Sequence, residues 1–282
     1  MMNRQQIRFL RRTCTSVQIR LSEESPLRGT FERGDEISLL TDGSIFPHVA
    51  QQHEWNFNET RFIGQVCDAA SYHLIDVGAN VGLYTRQVLL NYQNVHSASC
   101  FEPSPDNVEH LARNIGGMPT ATVHNFGLGT TDGELTFFTD DVNGGNFSFN
   151  ENAVAGRNHH VIKAPIRKIS EQLLDDCMGD EARKRRLIWK SDTQGLDEVL
   201  MSELPLGFWQ RVDLAVFEGW RIPKPEFDAQ AFAAVLKAFD FVYIMGSRNK
   251  RLQRTDAEQC MHYLSGTDRR WADVFLSRRE LS

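Results

Sequence analysis

The sequence predicts an α/β fold in which helices cover both faces of a mostly parallel sheet. Three observations predict it. From Tyr72 onward short apolar runs alternate with helical stretches, the order that forces parallel strands joined by crossover helices. Two of those runs end in or near an acid at a turn marked by glycine or proline, LIDVGANVG and SASCFEPSP. The tail carries two further apolar runs, FDFVYIMG and WADVFLSRR, placed to close the sheet as an antiparallel pair.

The elements follow in order. Residues 1 to about 70 lack the strand-helix rhythm; they hold a turn signal from Leu40 to Ser44 and a helix expected from Asn58 through Ala70. This stretch reads as an N-terminal cap segment, with residues 71–282 forming the main domain. The first strand, His73–Val77, passes through glycines into a helix over Leu83–Leu90. The second, Ser97–Glu102, leads through Pro-Ser-Pro into a helix from Asp106 to Ile115. The third, Ala121–Gly127, is expected to form a hairpin with GELTFF, because Asp132-Gly133 is a strong turn pair. After the glycine-containing loop Asn143–Phe149, Leu187–Asp192 precedes a helix over Leu196–Glu203. Val212–Glu218 precedes another from Glu226 to Phe239.

A chain of 282 residues, 41% hydrophobic and 24% charged, buries a full core without disulfides or metals. Its net charge of −6 gives no general pull towards phosphate backbones or anionic lipid. Together with the lack of a Pro-Pro-aromatic motif for a flipped base, this sets nucleic acid aside. The basic run Arg183–Arg186 follows Asp180 and Glu181 and reads as solvated surface. The five cysteines are scattered and never form a CxxC pair. That excludes a disulfide framework and a thiolate zinc site, and fits a reducing cytoplasm. The basic N-terminus lacks a signal peptide's apolar core, and no run approaches 18 apolar residues, so no export and no membrane span are expected.

The chemistry concentrates at Leu74–Gly82. An apolar strand carrying Asp76 runs into Gly78 and Gly82 before a helix. Glycine permits positive φ and close ligand approach, and the helix start offers free N–H groups, which together make a nucleotide-type cradle. Glu102 ends the second strand 20 residues after Gly82, where an acid accepts hydrogen bonds from ribose hydroxyls. The turn reads DxGxNxG, whereas a pyrophosphate needs GxGxxG. No tyrosine is followed four residues later by lysine, as a short-chain dehydrogenase would require. A ribose-bearing cofactor without a second phosphate is the result, and a nicotinamide-dependent oxidoreductase is the alternative.

Four ordered blocks, IDVGANVGLYT, FEPSPDNVEHLARNI, NFGLGTTDGEL and WKSDTQGLDEVL, resemble the FkbM-type methyltransferases. That family comprises class I S-adenosylmethionine enzymes acting mainly on hydroxyls of sugars and natural products. The resemblance spans roughly residues 55 to 280. It implies a Rossmann-like fold with a seven-stranded, mostly parallel sheet and an antiparallel closing strand. It also implies that Asp76, Gly78, Asn80 and Gly82 hold the methionine portion of S-adenosylmethionine, Glu102 the ribose, and Asn125, Phe126 and Gly127 the adenine. Asp192 would sit beside the reacting methyl group, and the acceptor would be a small-molecule or glycan hydroxyl.

The family's KIDVEGAE is KSDTQGLD here, keeping Lys190, Asp192 and Gly195. Ile169-Ser170 stands where Leu-Asp is commoner, and Ser170 is able to cap the helix that follows.

Methyl transfer to a hydroxyl is an in-line displacement, so the protein supplies alignment and removes a proton. Asp192 is expected to orient the substrate or the cofactor's amino group. Glu218, or a histidine of the pair His159-His160, is expected to take the proton. Asp192 and Glu218 are also the oxygens a Mg²⁺ would use, but their spacing does not demand one, and no metal is expected. His124, inside an apolar strand, reads as structural. Asn146 and Ser148 are candidates to bond a polyhydroxylated acceptor. A non-catalytic binding protein on the same fold is the alternative outside enzymes.

Overall fold

The computed structural model describes residues 1–29, 36–67, 70–118, 120–140, 147–148, 159–247 and 250–282. It opens with helix α1 (Arg4–Thr13), the antiparallel pair β1 (Ser16–Arg20) and β2 (Glu36–Leu40), and helix α2 (Ile45–Gln52). These elements close around Ile7, Ile19, Leu27, Ile37, Leu39, Phe46 and Val49, and the same cluster takes in Val81 and Leu83 from the glycine turn. The N-terminal segment is thus packed against the turn itself. Asn114 reinforces the seam, accepting from the Ser38 N–H at 2.7 Å and donating to the carbonyls of Ser38 and Val81 at 2.8 and 2.7 Å.

In place of one helix over Asn58–Ala70 the chain forms two single turns, α3 (Phe57–Thr60) and α4 (Ile63–Val66). Glu59 and Thr60 are buried on one side, where Gln87 Nε2 donates to Thr60 Oγ1 at 2.6 Å. Phe62 is buried on another, its ring edge-on to Phe275 at 5.0 Å. The turn between the two helices lets both sets of side chains reach their places.

The chain proceeds through β3 (Tyr72–Val77), α5 (Leu83–Asn91), β4 (Val95–Phe101), α6 (Pro105–Ile115) and β5 (Ala121–His124). Then come β6 (Gly127–Gly129), β7 (Gly133–Asp140), β8 (Phe147–Ser148), β9 (His159–Lys168), α7 (Glu171–Met178) and α8 (Asp180–Arg183). It continues with β10 (Arg186–Ser191), α9 (Asp197–Ser202), α10 (Leu206–Gln210), β11 (Val212–Trp220), α11 (Ala229–Lys237) and β12 (Phe241–Gly246). It ends with β13 (Leu252–Thr255), α12 (Ala257–Leu264) and β14 (Trp271–Ser277). The central sheet has the order β13-β12-β14-β11-β10-β3-β4-β5. The five strands from β11 to β5 are parallel, and β14 lies antiparallel between β11 and β12. This is the expected Rossmann-like α/β class. All six residues of β3 are buried, as a strand covered on both faces requires. One apolar cluster, centred on Trp189, Phe208, Trp209 and Phe217, fills one face; a second, around Leu74, Val88, Leu111 and Phe275, fills the other.

Two expectations need correction. The sheet has eight described strands rather than seven, because β13 adds itself antiparallel to β12 at the edge. With the sequence LQRT it carries one apolar residue and no alternation to reveal it. The third run also does not continue into a hairpin. It breaks after His124, and β6 and β7 each pair with β9, β6 parallel and β7 antiparallel, in a separate sheet ordered β6-β9-β7-β8. Asp132 serves that arrangement, its Oδ1 accepting from the Lys168 N–H at 2.9 Å. The turn pair therefore docks on β9 instead of folding β7 back on β6.

Candidate active site

A cavity of about 500 Å³ opens at the carboxyl ends of β3, β4, β10 and β11, the crevice where open α/β sheets bind ligands. Because β14 runs antiparallel, its first residues arrive at the same edge: Asp273 pairs in register with Glu218, and Trp271 with Trp220. The α2 helix and the stretch Glu54–Glu59 complete the wall.

The glycine turn forms part of the wall. Gly78 has φ 73°, and a Cβ there would stand 2.2 Å from the Asp192 carbonyl oxygen, so glycine is what lets the ends of β3 and β10 touch. Asn80 follows at φ 51°. Its N–H donates to Glu102 Oε2 at 2.8 Å, while Glu102 Oε1 accepts from the Ser104 N–H at 2.9 Å and Asn107 Nδ2 at 3.3 Å. Burial pushes the Glu102 carboxyl up to about 7 against these donors. Glu102 lines the cavity with Gly78, Asn80, Gly127, Leu128 and Phe137.

Four residues expected to touch a cofactor lie off the cavity wall. Asp76 is wholly buried, accepting from Thr85 Oγ1 at 2.7 Å and ion-paired with Lys190 at 2.9 Å. Lys190 Nζ also donates to the Gly78 carbonyl at 2.8 Å, so Asp76 holds the lysine that pins the turn. Burial draws the Lys190 ammonium down, but the Asp76 and Asp192 carboxylates outweigh it and hold it above its usual value. Gly82, at φ 82°, makes room for α6, a Cβ there meeting Leu111 Cδ1 at 2.5 Å. Asn125 is exposed. Phe126 packs edge-on to Phe101 at 5.7 Å, beneath the Arg167 guanidinium at 5.3 Å.

Beside the turn, at the ends of β10 and β11, the lining is acidic. Asp192 and Glu218 are brought together by Gln194, whose Nε2 donates to Asp192 Oδ1 at 2.5 Å and to Glu218 Oε2 at 2.7 Å. Gln194 sits at φ 53°, a left-handed conformation that a non-glycine residue holds only where its surroundings fix it. Trp220 Nε1 adds a second donor to Glu218 Oε2 at 2.5 Å. Burial and the neighbouring Asp192 charge hold Glu218 well above the ordinary carboxyl range. Beside them Lys250 Nζ bridges Glu59 at 2.8 Å and Asp273 at 3.3 Å, 5.3 Å above the Trp271 ring. Asp273 too is raised, by burial and by Glu59.

His159 begins β9, but its side chain and that of His160 lie outside the described residues, as do Asn146 and the Ser148 side chain. His124 stacks on Phe101 at 4.8 Å, and burial lowers its pKa, as befits a structural histidine. Among the described residues no group of three or more histidine, cysteine or acidic side chains is arranged to hold a metal ion. No described helix is long and apolar enough to cross a membrane.

Sequence reasoning passed over Gln194, Lys250, Glu59 and the paired tryptophans. Gln194 was in view only as a motif departure. Trp220 ends β11, Lys250 lies between β12 and β13, Trp271 arrives with the antiparallel return of β14, and Glu59 comes from the N-terminal segment; no local pattern encodes their meeting.

The fold and site define a Rossmann-like α/β chain with a ligand crevice at the carboxyl edge of its parallel strands. No protein-family model matches the chain, and no curated protein matches it. Similar solved structures include the methyltransferase FkbM from Methylobacillus flagellatus KT, 13% identical over 79% of this chain with a TM-score of 0.43. This chain spans 48% of that longer one. A SAM-dependent O-methyltransferase from Thermotoga maritima is 11% identical over 89% of this chain and 77% of its own, with a TM-score of 0.36. The 23S rRNA methyltransferase ErmE is 11% identical over 78% and 66%, with a TM-score of 0.35. At such values the function rests on the site itself.

Proposed function

We propose that this chain is an S-adenosylmethionine-dependent methyltransferase whose acceptor is a hydroxyl of a sugar, glycan or natural product, and not a nucleic acid. The observation that carries the reading is one cavity lined by Glu102, by Gly78 and Asn80 of the DxGxNxG turn, and by the Asp192–Glu218 pair. Its volume of about 500 Å³ suits one nucleoside-sized ligand with a small acceptor beside it. The cofactor, when bound, supplies an electrophilic methyl group on a positively charged sulfur.

In this reading the backbone at Gly78 and Asn80 receives the methionine portion, Glu102 the ribose, and the Gly127–Leu128 wall the adenine. Asp192 orients the acceptor or the cofactor's amino group. Glu218 takes the hydroxyl proton, because burial and the neighbouring Asp192 charge raise the proton affinity of its carboxylate, the property that a general base needs. Gln194 and Trp220 converge on one oxygen of Glu218 and fix its plane. Residues 1–70 act as a cap whose Ser44–Glu59 stretch walls the acceptor side, and the protein works in the cytoplasm.

Titration calorimetry with S-adenosylhomocysteine and with NAD tests the cofactor. The first is expected to bind and the second not; the reverse would make the chain an oxidoreductase. A screen of glycan and natural-product hydroxyls with labelled S-adenosylmethionine then tests the acceptor.

A further inference from the structure

We propose that the outward face of α1 docks the protein on an anionic lipid bilayer. The helix is built to be firm. Asn3 and Gln6 form a reciprocal capping box, with the Gln6 N–H donating to Asn3 Oδ1 at 3.0 Å and the Asn3 N–H to Gln6 Oε1 at 2.9 Å. Ile7 is buried and Leu10 packs against the N-terminal core.

The other face is basic. Arg4, Arg8, Arg11 and Arg12 stand at spacings of four, seven and eight residues, which places them along one side of a helix. All four are exposed, and the helix contains no acid. Among the described residues no carboxylate lies within ion-pair distance of any of them, whereas Arg183, Arg186 and Arg211 are all engaged by acids. Like charges one turn apart destabilise a helix, and among the described residues no carboxylate offsets this stripe.

Next to it Phe9 is 64% exposed, and Met1, just ahead of the helix, is 90% exposed. Arginines flanking a protruding aromatic ring match a bilayer interface, where phosphates meet the first and the acyl boundary receives the second. A nucleic-acid duplex, its bases stacked inside, would satisfy only the arginines. The whole chain carries −6, so its mean charge conceals a local patch of opposite sign.

Co-sedimentation of the full chain with vesicles of phosphatidylcholine, with and without about one third phosphatidylserine, tests the proposal. Binding is expected only with phosphatidylserine, and is expected to fall as salt rises from about 0.1 M to about 0.5 M. Each arginine removed should weaken it about fivefold, so the variant Arg4→Gln, Arg8→Gln, Arg11→Gln, Arg12→Gln loses it at least a hundredfold. The corresponding set of Arg→Lys changes should retain it, and Phe9→Ser should reduce it severalfold. Thermal melting confirms that each variant is folded. Equal binding to both vesicles, none to either, or undiminished binding by the folded glutamine variant would overturn the proposal. So would capture of single-stranded RNA without vesicle binding.

Discussion

Glu102 offers a test in which the structure supplies both sign and size. Its carboxyl is pushed up to about 7, chiefly by burial, although the Asn80 and Ser104 N–H groups and the Asn107 amide oppose that push. Ligand hydroxyls donating to it stabilise the charged form, so binding lowers its pKa and releases the proton. Affinity for S-adenosylhomocysteine should therefore be full above about pH 7 and fall about tenfold for each unit below it, until the pKa of the bound state is reached. Glu102→Gln keeps the side chain's volume but replaces one oxygen by a donor that faces either the Asn80 or the Ser104 N–H. Losing a charged acceptor of the ligand costs about 1 to 3 kcal/mol, roughly 5- to 150-fold in affinity. Calorimetry near pH 6 and pH 8 reads both effects. The variant should bind weakly and with a flat pH response over this interval. Wild-type affinity independent of pH, or a variant as tight as wild type, would refute the placement of the ribose at Glu102.

Other consequences are read from stability. Gly78→Ala forces a positive φ on a residue with a Cβ and drives that carbon against the Asp192 carbonyl, so it should cost more than about 2 kcal/mol in denaturant unfolding and abolish ligand binding. Lys190→Met leaves Asp76 as an unpaired buried charge, expected to cost about 3 to 5 kcal/mol; adding Asp76→Asn should recover part of that loss. Ser170→Ala removes the side chain that accepts from the Leu173 N–H at 3.1 Å and should lower stability by about 1 kcal/mol, read from the melting curve.

The sequence made the parallel core legible because those strands are buried on both faces and read as unbroken apolar runs between helices. β3, β4, β10 and β11 all fall within two residues of their expected limits. Glu102 was legible as a cavity residue because an acid at the end of β4 has few other places to point. Asp76 was not, since the same reasoning that put it near the turn does not say whether it faces the ligand or the packed interior. Its partner Lys190 comes from a strand more than a hundred residues away. The break after His124 was hidden for a related reason. The competing partner for Gly127–Gly129 is β9, which lies beyond the intervening strands β7 and β8, and local turn chemistry at Asp132-Gly133 carries no information about it.

The motif KSDTQGLD shows how far local departures are coordinated. Asp197, wholly buried, accepts from the Thr193 N–H at 3.3 Å, and Leu196 joins the core beside Trp189. Gln194 stands where the resembling family carries glutamate. A glutamate at that place would bring a third carboxylate within hydrogen-bond distance of two others in a half-buried site, where like charges strongly oppose ionisation. An amide removes the charge and supplies a donor to each acid. Burial and the Asp192 charge push Glu218 up, and the amide donates to it without adding a further charge. The change at position 194 thus belongs with the position of Glu218 at the end of β11, where Gly219 lies against Leu264 and Val274 so closely that any side chain would displace them.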